Sequence, residues 1–81
     1  MSVDLSDVRE ALNEMIEDQT VPKNVKLKLN STLNALSDEN EDISLRINKA
    51  LNELDELTDD INIESFTRTQ LWNIVSMLEM I

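Results

Sequence analysis

The 81-residue chain has no cysteine, no histidine and no glycine, and it contains one proline, one tryptophan and one phenylalanine. Without Cys or His it lacks a thiolate nucleophile, an imidazole base and the ligands of an ordinary zinc site. Without Gly it lacks the loops whose backbone closely approaches phosphates in nucleotide-binding motifs. These absences predict a protein that is not an enzyme and that uses no cofactor and no metal.

The charge balance is strongly acidic, with 17 Asp and Glu residues against 7 Lys and Arg residues and a formal net charge of −10. This balance disfavours direct binding to nucleic acids, because phosphates are neutralised by Lys and Arg. No run approaches the ~20 apolar residues that span a bilayer. The first residues lack the basic and apolar regions of a signal peptide. We therefore expect a cytoplasmic protein without membrane contact.

Apolar residues recur every three or four positions in four segments, the pattern of amphipathic helices. The segments lie at about 4–18, 22–36, 42–57 and 65–81. Because aromatic residues are few and glycine-containing hairpin turns are missing, the sequence predicts an all-α fold. The predicted core stripes are Leu5, Val8, Leu12, Met15 and Ile16; Val25, Leu29, Thr32, Leu33 and Leu36; Ile43, Ile47, Ala50, Leu51, Leu54 and Leu57; and Leu71, Ile74, Val75, Leu78 and Ile81.

A shift of about 42 residues aligns residues 1–39 with residues 43–81, including both apolar stripes and the loop between them. Helical-hairpin repeats of the HEAT type have similar periods, ~40–47 residues. The pattern predicts a single domain, residues 1–81, built as two antiparallel helical hairpins in a HEAT-like pseudo-repeat. The alternative is that any four similar helices align at some offset.

Two stretches carry a family resemblance: residues 18–26 (Asp-Gln-Thr-Val-Pro-Lys-Asn-Val-Lys) and residues 67–79 (Thr-Arg-Thr-Gln-Leu-Trp-Asn-Ile-Val-Ser-Met-Leu-Glu). The chain resembles the archaeal uncharacterised protein family 0147 (UPF0147). The resemblance implies a small all-helical protein of an archaeal cytoplasm and supplies no catalytic residue. In one departure, Glu64 stands where the family commonly has proline, which predicts a less rigid entry into the last helix than the entry at Pro22.

Arg68 and Trp72 are four residues apart and therefore share one side of the last helix. Both residue types are enriched in the energetic centres of protein interfaces, so they are candidates for a binding surface. The alternative is that Trp72 packs in the core while Arg68 caps an acidic loop.

Lys23, Lys26 and Lys28 lie in a stretch, residues 19–37, that contains no acidic residue. They are candidates for contact with an acidic partner or with phosphates. The alternative is that they form ordinary surface pairs with the acids of residues 38–42 or 53–60, worth ~0–1 kcal/mol each.

Leu27, Met77, Met80 and Ile81 are apolar residues that the four stripes do not require. If they are exposed, they form a patch typical of an interaction site, since methionine adapts to varied partner surfaces. The alternative is a larger core. The acidic runs lack the glycine and the alternating ligands of a calcium loop, so a solvated acidic face is expected there.

These observations favour a non-catalytic interaction protein or a small regulatory or assembly module. It would bind another protein, or a second copy of itself, through its second and fourth helices. One alternative is an acidic regulator that contacts a basic nucleic-acid-associated protein. A further alternative is a hydrolase that depends on the carboxylates of Glu53, Asp55 and Glu56.

Overall fold

The computed structural model describes residues 5–81 and contains four α-helices. They are α1 (Ser6–Glu17), α2 (Lys23–Ser37), α3 (Ile43–Thr58) and α4 (Ser65–Glu79). No strand occurs within residues 5–81. The predicted all-α fold with four helices is therefore confirmed. The predicted start of the first helix at Asp4 lies outside the described residues.

The helices form a closed ring in which each packs against the next and α4 returns to α1. The α2–α3 contact is the most extensive and the α1–α4 contact the least. Within residues 5–81, no close backbone contact joins α1 to α3 or α2 to α4. Short loops favour an antiparallel arrangement of the helices that they join. The HEAT-like division into two hairpins stays a prediction.

Leucines contributed by all four helices fill the centre of the ring. Each buried leucine contributes about 1.5–3 kcal/mol relative to an exposed one. Ile81 differs from its predicted place in the core stripe, because α4 ends at Glu79 and Ile81 is 45% exposed. The most deeply buried leucines, all at 0–1% exposure, are Leu12, Leu29, Leu36, Leu54, Leu71 and Leu78.

All three loops between the helices begin with the same aspartate-centred turn. In each, an aspartate Oδ1 accepts a hydrogen bond from the N–H two residues later, and its carbonyl oxygen accepts one from the N–H three residues later. No residue within 5–81 has a positive φ angle, so the loops need no glycine. The aspartates are Asp18, Asp38 and Asp60, and their Oδ1 atoms lie 2.9, 3.1 and 2.9 Å from the N atoms of Thr20, Asn40 and Asn62.

The residue that starts each following helix also has a shared geometry. Pro22 occupies the N-cap position of α2 with φ −61° and ψ 152°, Asp42 that of α3 with −58° and 147°, and Glu64 that of α4 with −64° and 150°. None of the three makes a side-chain capping hydrogen bond. Thr20 has a side chain well suited to an N-cap, but its N–H and hydroxyl both donate to Asp18 Oδ1. Thr20 is therefore part of the aspartate turn and does not cap α2.

We expect Glu64→Pro to preserve the fold and to raise the free energy of unfolding by about 0.4–1 kcal/mol. The native φ of −64° at this position is one that proline can adopt, and Pro22 already occupies the equivalent position. Urea denaturation of both proteins measures the change.

The neighbouring variant Ile63→Pro is the control. It removes the hydrogen bond from the Ile63 N–H to the Asp60 carbonyl oxygen (3.2 Å) and a buried side chain, so it must destabilise the protein. Equal stability losses in the two variants would show that the loop does not have this backbone geometry.

Candidate binding surface

The outer face of α4 carries no charged residue, although the chain has a net charge of −10. Its residues recur at helical spacing on the side opposite the core, and all are exposed. Phe66 is 69%, Trp72 49% and Met80 87% exposed. Glu79 lies at the margin. The outer face of α4 is defined as Phe66, Thr69, Trp72, Asn73, Ser76 and Met80.

A groove runs along the seam between α1 and α4. It contains two adjacent cavities of about 170 and 220 Å³, and Met77 lines both. The first is lined by Ala11, Glu14, Met15, Gln70, Asn73, Ile74 and Met77, and the second by Asp7, Val8, Met77, Met80 and Ile81.

The groove has an apolar floor and two different polar rims. Asp7 and Glu14 border it on the α1 side, while Gln70 and Asn73 border it on the α4 side. The Oε1 atom of Gln70 is buried and accepts no hydrogen bond from residues 5–81. One rim is therefore anionic, and the other carries amides with an unused acceptor.

The anionic rim belongs to an acidic stripe along α1. Its members recur at i, i+3, i+7 and i+10, the spacing of one helix face. All four side chains are exposed. This spacing is visible in the sequence, but it lies on the face of α1 opposite the predicted core stripe, and the apolar pattern alone does not predict it. The acidic stripe is Asp7, Glu10, Glu14 and Glu17.

The four surplus apolar residues separate into two places. Met77, Met80 and Ile81 meet at the groove, beside Val8 of α1. Leu27 is 71% exposed on α2, which makes no close backbone contact with α4 within residues 5–81. Leu27 is therefore not part of the same surface.

The three lysines do not form one patch. Lys23 is exposed at the first turn of α2. Lys28 forms ion pairs with Glu56 and with Glu53, the latter at 3.5 Å between Nζ and Oε2. The pKa of Lys28 is raised, chiefly by its hydrogen bond with Glu56; burial opposes this shift and Glu53 adds to it.

The charge of Lys26 acts on the carboxylate of Asp18. The pKa of Asp18 is lowered because its carboxylate accepts hydrogen bonds from the N–H and the hydroxyl of Thr20, with a smaller contribution from the charge of Lys26. The hydroxyl oxygen lies 2.7 Å from Asp18 Oδ1. The charge of Lys26 therefore makes only a minor contribution at Asp18.

Arg68 binds the loop before its helix, while Trp72, one turn later, is half exposed. The Arg68 Nε donates to the carbonyl oxygen of Thr58 at 3.2 Å, and Nη2 donates to that of Asp60 at 2.7 Å. These contacts stabilise the end of α3, where unpaired carbonyl groups attract cations. They favour the capping interpretation of Arg68 and leave Trp72 to the outer face of α4.

A basic residue follows each loop aspartate by eight positions: Lys26, Arg46 and Arg68. Like Arg68, Arg46 donates from Nε to a backbone carbonyl oxygen that precedes its own helix, that of Glu41, at 2.9 Å. This spacing is present in the sequence. The 42-residue shift aligns the first loop with the third and leaves the second loop unmatched, so the alignment does not show that all three loops share it. Arg46 and Arg68 therefore have a structural role.

The carboxylates proposed for hydrolysis lie along one turn of α3, where Glu53 and Glu56 pair with Lys28 and Asp55 is exposed. Across the described chain, no three Asp or Glu side chains are grouped closely enough to hold a metal ion.

No helix within residues 5–81 is long and apolar enough to cross a membrane.

Comparison with known proteins assigns the family. The sequence matches the model of the uncharacterised protein family UPF0147 over residues 2–81. The chain belongs to UPF0147. A UPF0147 protein of Thermoplasma volcanium is 41% identical over 76 residues, which cover 94% of this chain and 85% of the relative. One of Methanocaldococcus jannaschii is 39% identical over 77 residues, with 95% and 83% covered.

Solved structures of the same fold also match. The crystal structure of a UPF0147 protein from Thermoplasma acidophilum has a TM-score of 0.90 and 39% identity, covering 94% of this chain and 89% of that chain. The structure of the unknown-function protein MMP1188 has a TM-score of 0.89 and 39% identity, covering 95% and 88%. The resemblance seen in the sequence is therefore confirmed, and the UPF0147 fold is all-α.

We expect Thr20→Val to raise the pKa of Asp18 more than Lys26→Met does, because the hydroxyl hydrogen bond contributes more than the lysine charge. Carboxyl-carbon NMR titration measures both. Since the native pKa is below the ordinary value of 3.8, the stabilisation is complete above that pH and is lost as the pH falls through the native pKa. A larger shift in Lys26→Met would contradict the assignment.

We expect Arg68→Gln to lower the free energy of unfolding by about 1.5–3 kcal/mol, because a charged donor to two carbonyl groups is lost. The matched control is Arg9→Gln on the exposed side of α1, expected within about 0.5 kcal/mol of the parent. Urea denaturation distinguishes them, and equal values would remove the capping role.

Proposed function

We propose that this UPF0147 protein is a non-catalytic protein-interaction module that binds its partner through the outer face of α4. The observation that carries the proposal is an uncharged helix face with an exposed aromatic pair on an otherwise acidic protein. Protein interfaces are depleted of charge at their centres and enriched in aromatic residues and methionine. Phe66, Trp72 and Met80 supply both residue classes.

The proposal narrows the surface expected from the sequence. Lys28 and Arg68 are engaged in contacts within the chain, so they are less available to a partner. Trp72 remains the residue best suited to anchor a contact, because it combines a large apolar area with an N–H donor. We place this contact in the cytoplasm, in keeping with the absence of cysteine.

A second candidate function is that of an acidic regulator of a basic nucleic-acid-associated protein, and the acidic stripe on α1 favours it. Such a contact depends on charge and weakens steeply with salt. A contact centred on the outer face of α4 depends on apolar area and survives moderate salt. The salt dependence of binding therefore separates the two candidates.

We expect affinity purification from cells of the source organism, followed by mass spectrometry, to recover a specific protein with the parent chain. The double variant Phe66→Ser/Trp72→Ser should recover at least about tenfold less of that protein, because aromatic residues at the energetic centre of an interface each contribute about 2 kcal/mol or more. Thermal melting verifies that the variant remains folded.

Leu45→Ser is the matched control, since Leu45 is an exposed apolar residue of α3 outside this face, at 41%. It should retain the partner. Recovery of the same proteins by the parent, the double variant and Leu45→Ser would refute the proposal. Recovery of no specific protein by the parent would also refute it. Sedimentation equilibrium at micromolar concentration tests the remaining expectation, that the partner is a second copy.

A further inference from the structure

The α1–α4 groove differs from the outer face of α4 because its two rims differ in charge. We propose that this groove binds a basic amphipathic helix of a partner protein, with the helix's apolar side on the groove floor and its Lys or Arg residues along the α1 rim. This inference rests on the proposed function, because it specifies the chemistry of the partner.

The shape of the groove suits a helix. Its two cavities are adjacent along the seam, as successive apolar anchors of a helix are in grooves of this kind. An apolar cavity of about 150 Å³ holds one benzene molecule, so cavities of about 170 and 220 Å³ each have room for one apolar side chain. Met15, Met77 and Met80 line them with flexible, adaptable side chains.

The charges of the rims determine which charge a bound helix must carry. Asp7 and Glu14 border the floor on one side, and the acidic stripe continues beyond them along α1. The opposite rim carries the uncharged amide side chains of Gln70 and Asn73. A Lys or Arg side chain pairs with a carboxylate on the α1 rim.

The same charges argue against two other occupants. An acidic amphipathic helix would face the carboxylates of the α1 rim, where like charges are unfavourable. A second copy of this chain would bring another molecule of net charge −10 against the same rim. Charge complementarity therefore favours a basic helix from a different protein.

The test uses three synthetic peptides of about 18 residues, long enough to form helix when bound. The first is an amphipathic Leu/Lys peptide, the second has the same composition in scrambled order, and the third replaces Lys with Glu in the amphipathic order. Isothermal titration calorimetry with the 81-residue chain should detect binding of the first, with the second at least about tenfold weaker and the third undetected. Equal binding of the first two would refute the groove, because it would reflect net charge alone.

Two variants with identical changes of composition locate the site. Asp7→Asn/Glu14→Gln should weaken binding of the first peptide about fivefold, since two exposed ion pairs are lost and each such pair is individually weak. Glu39→Gln/Asp59→Asn, which changes exposed acids of the α2–α3 and α3–α4 loops by the same charge, should leave it unchanged. Equal effects of the two variants would overturn the proposal.

Ala11→Phe fills the groove without changing charge and should abolish binding of the first peptide. Thermal melting verifies its fold, and amide chemical shifts of α1 and α4 in the parent chain provide an independent readout if it does not fold. Chemical-shift changes confined to other helices would refute binding at the groove.

If a cellular partner is lost in Phe66→Ser/Trp72→Ser while the first peptide fails to bind, binding at the groove is refuted and the proposed function stands. If neither binds, both fail.

Discussion

Every reversal of the chain between residues 5 and 81 depends on one hydrogen-bonded arrangement, an aspartate carboxylate that accepts the N–H two residues ahead. A chain without glycine cannot readily use turns that require positive φ. The carboxylate acceptor makes a compact turn from residues with negative φ, and the next helix then begins from an extended capping residue. These turns set the positions at which α1 and α4 meet, and so determine which helix faces remain uncovered.

The acidic residues of the protein divide into two groups with different physical roles. Some work within the fold, where Asp18, Asp38 and Asp60 form the turns and Glu53 and Glu56 pair with Lys28. Those of the α1 stripe face solvent. Because most basic side chains are engaged near loops or in ion pairs, the stripe is left uncompensated and gives the α1–α4 seam its one-sided charge.

Hydrophobic periodicity was sufficient to predict the helices and most of the core, because each stripe follows the 3.6-residue repeat. The placement of Arg68 was not decided by periodicity, since it bonds to a carbonyl group at the end of α3 and to one in the following loop, ten and eight residues away. The groove could not be predicted either. It is lined by Ala11 of the first helix and Gln70 of the last helix. A local sequence pattern does not indicate which distant helices pack against each other.

The slender α1–α4 contact has a consequence for the order in which the structure opens. α1 is the shortest helix and is held by a five-residue loop on one side and by the least extensive helix contact on the other. Regions with few packed neighbours open at lower free energy than the whole domain, so we expect α1 to be the first element whose amide protons exchange with solvent. A molecule lying across the seam bridges the two ends of the chain. Occupancy of the groove and detachment of α1 are then competing outcomes of one local equilibrium.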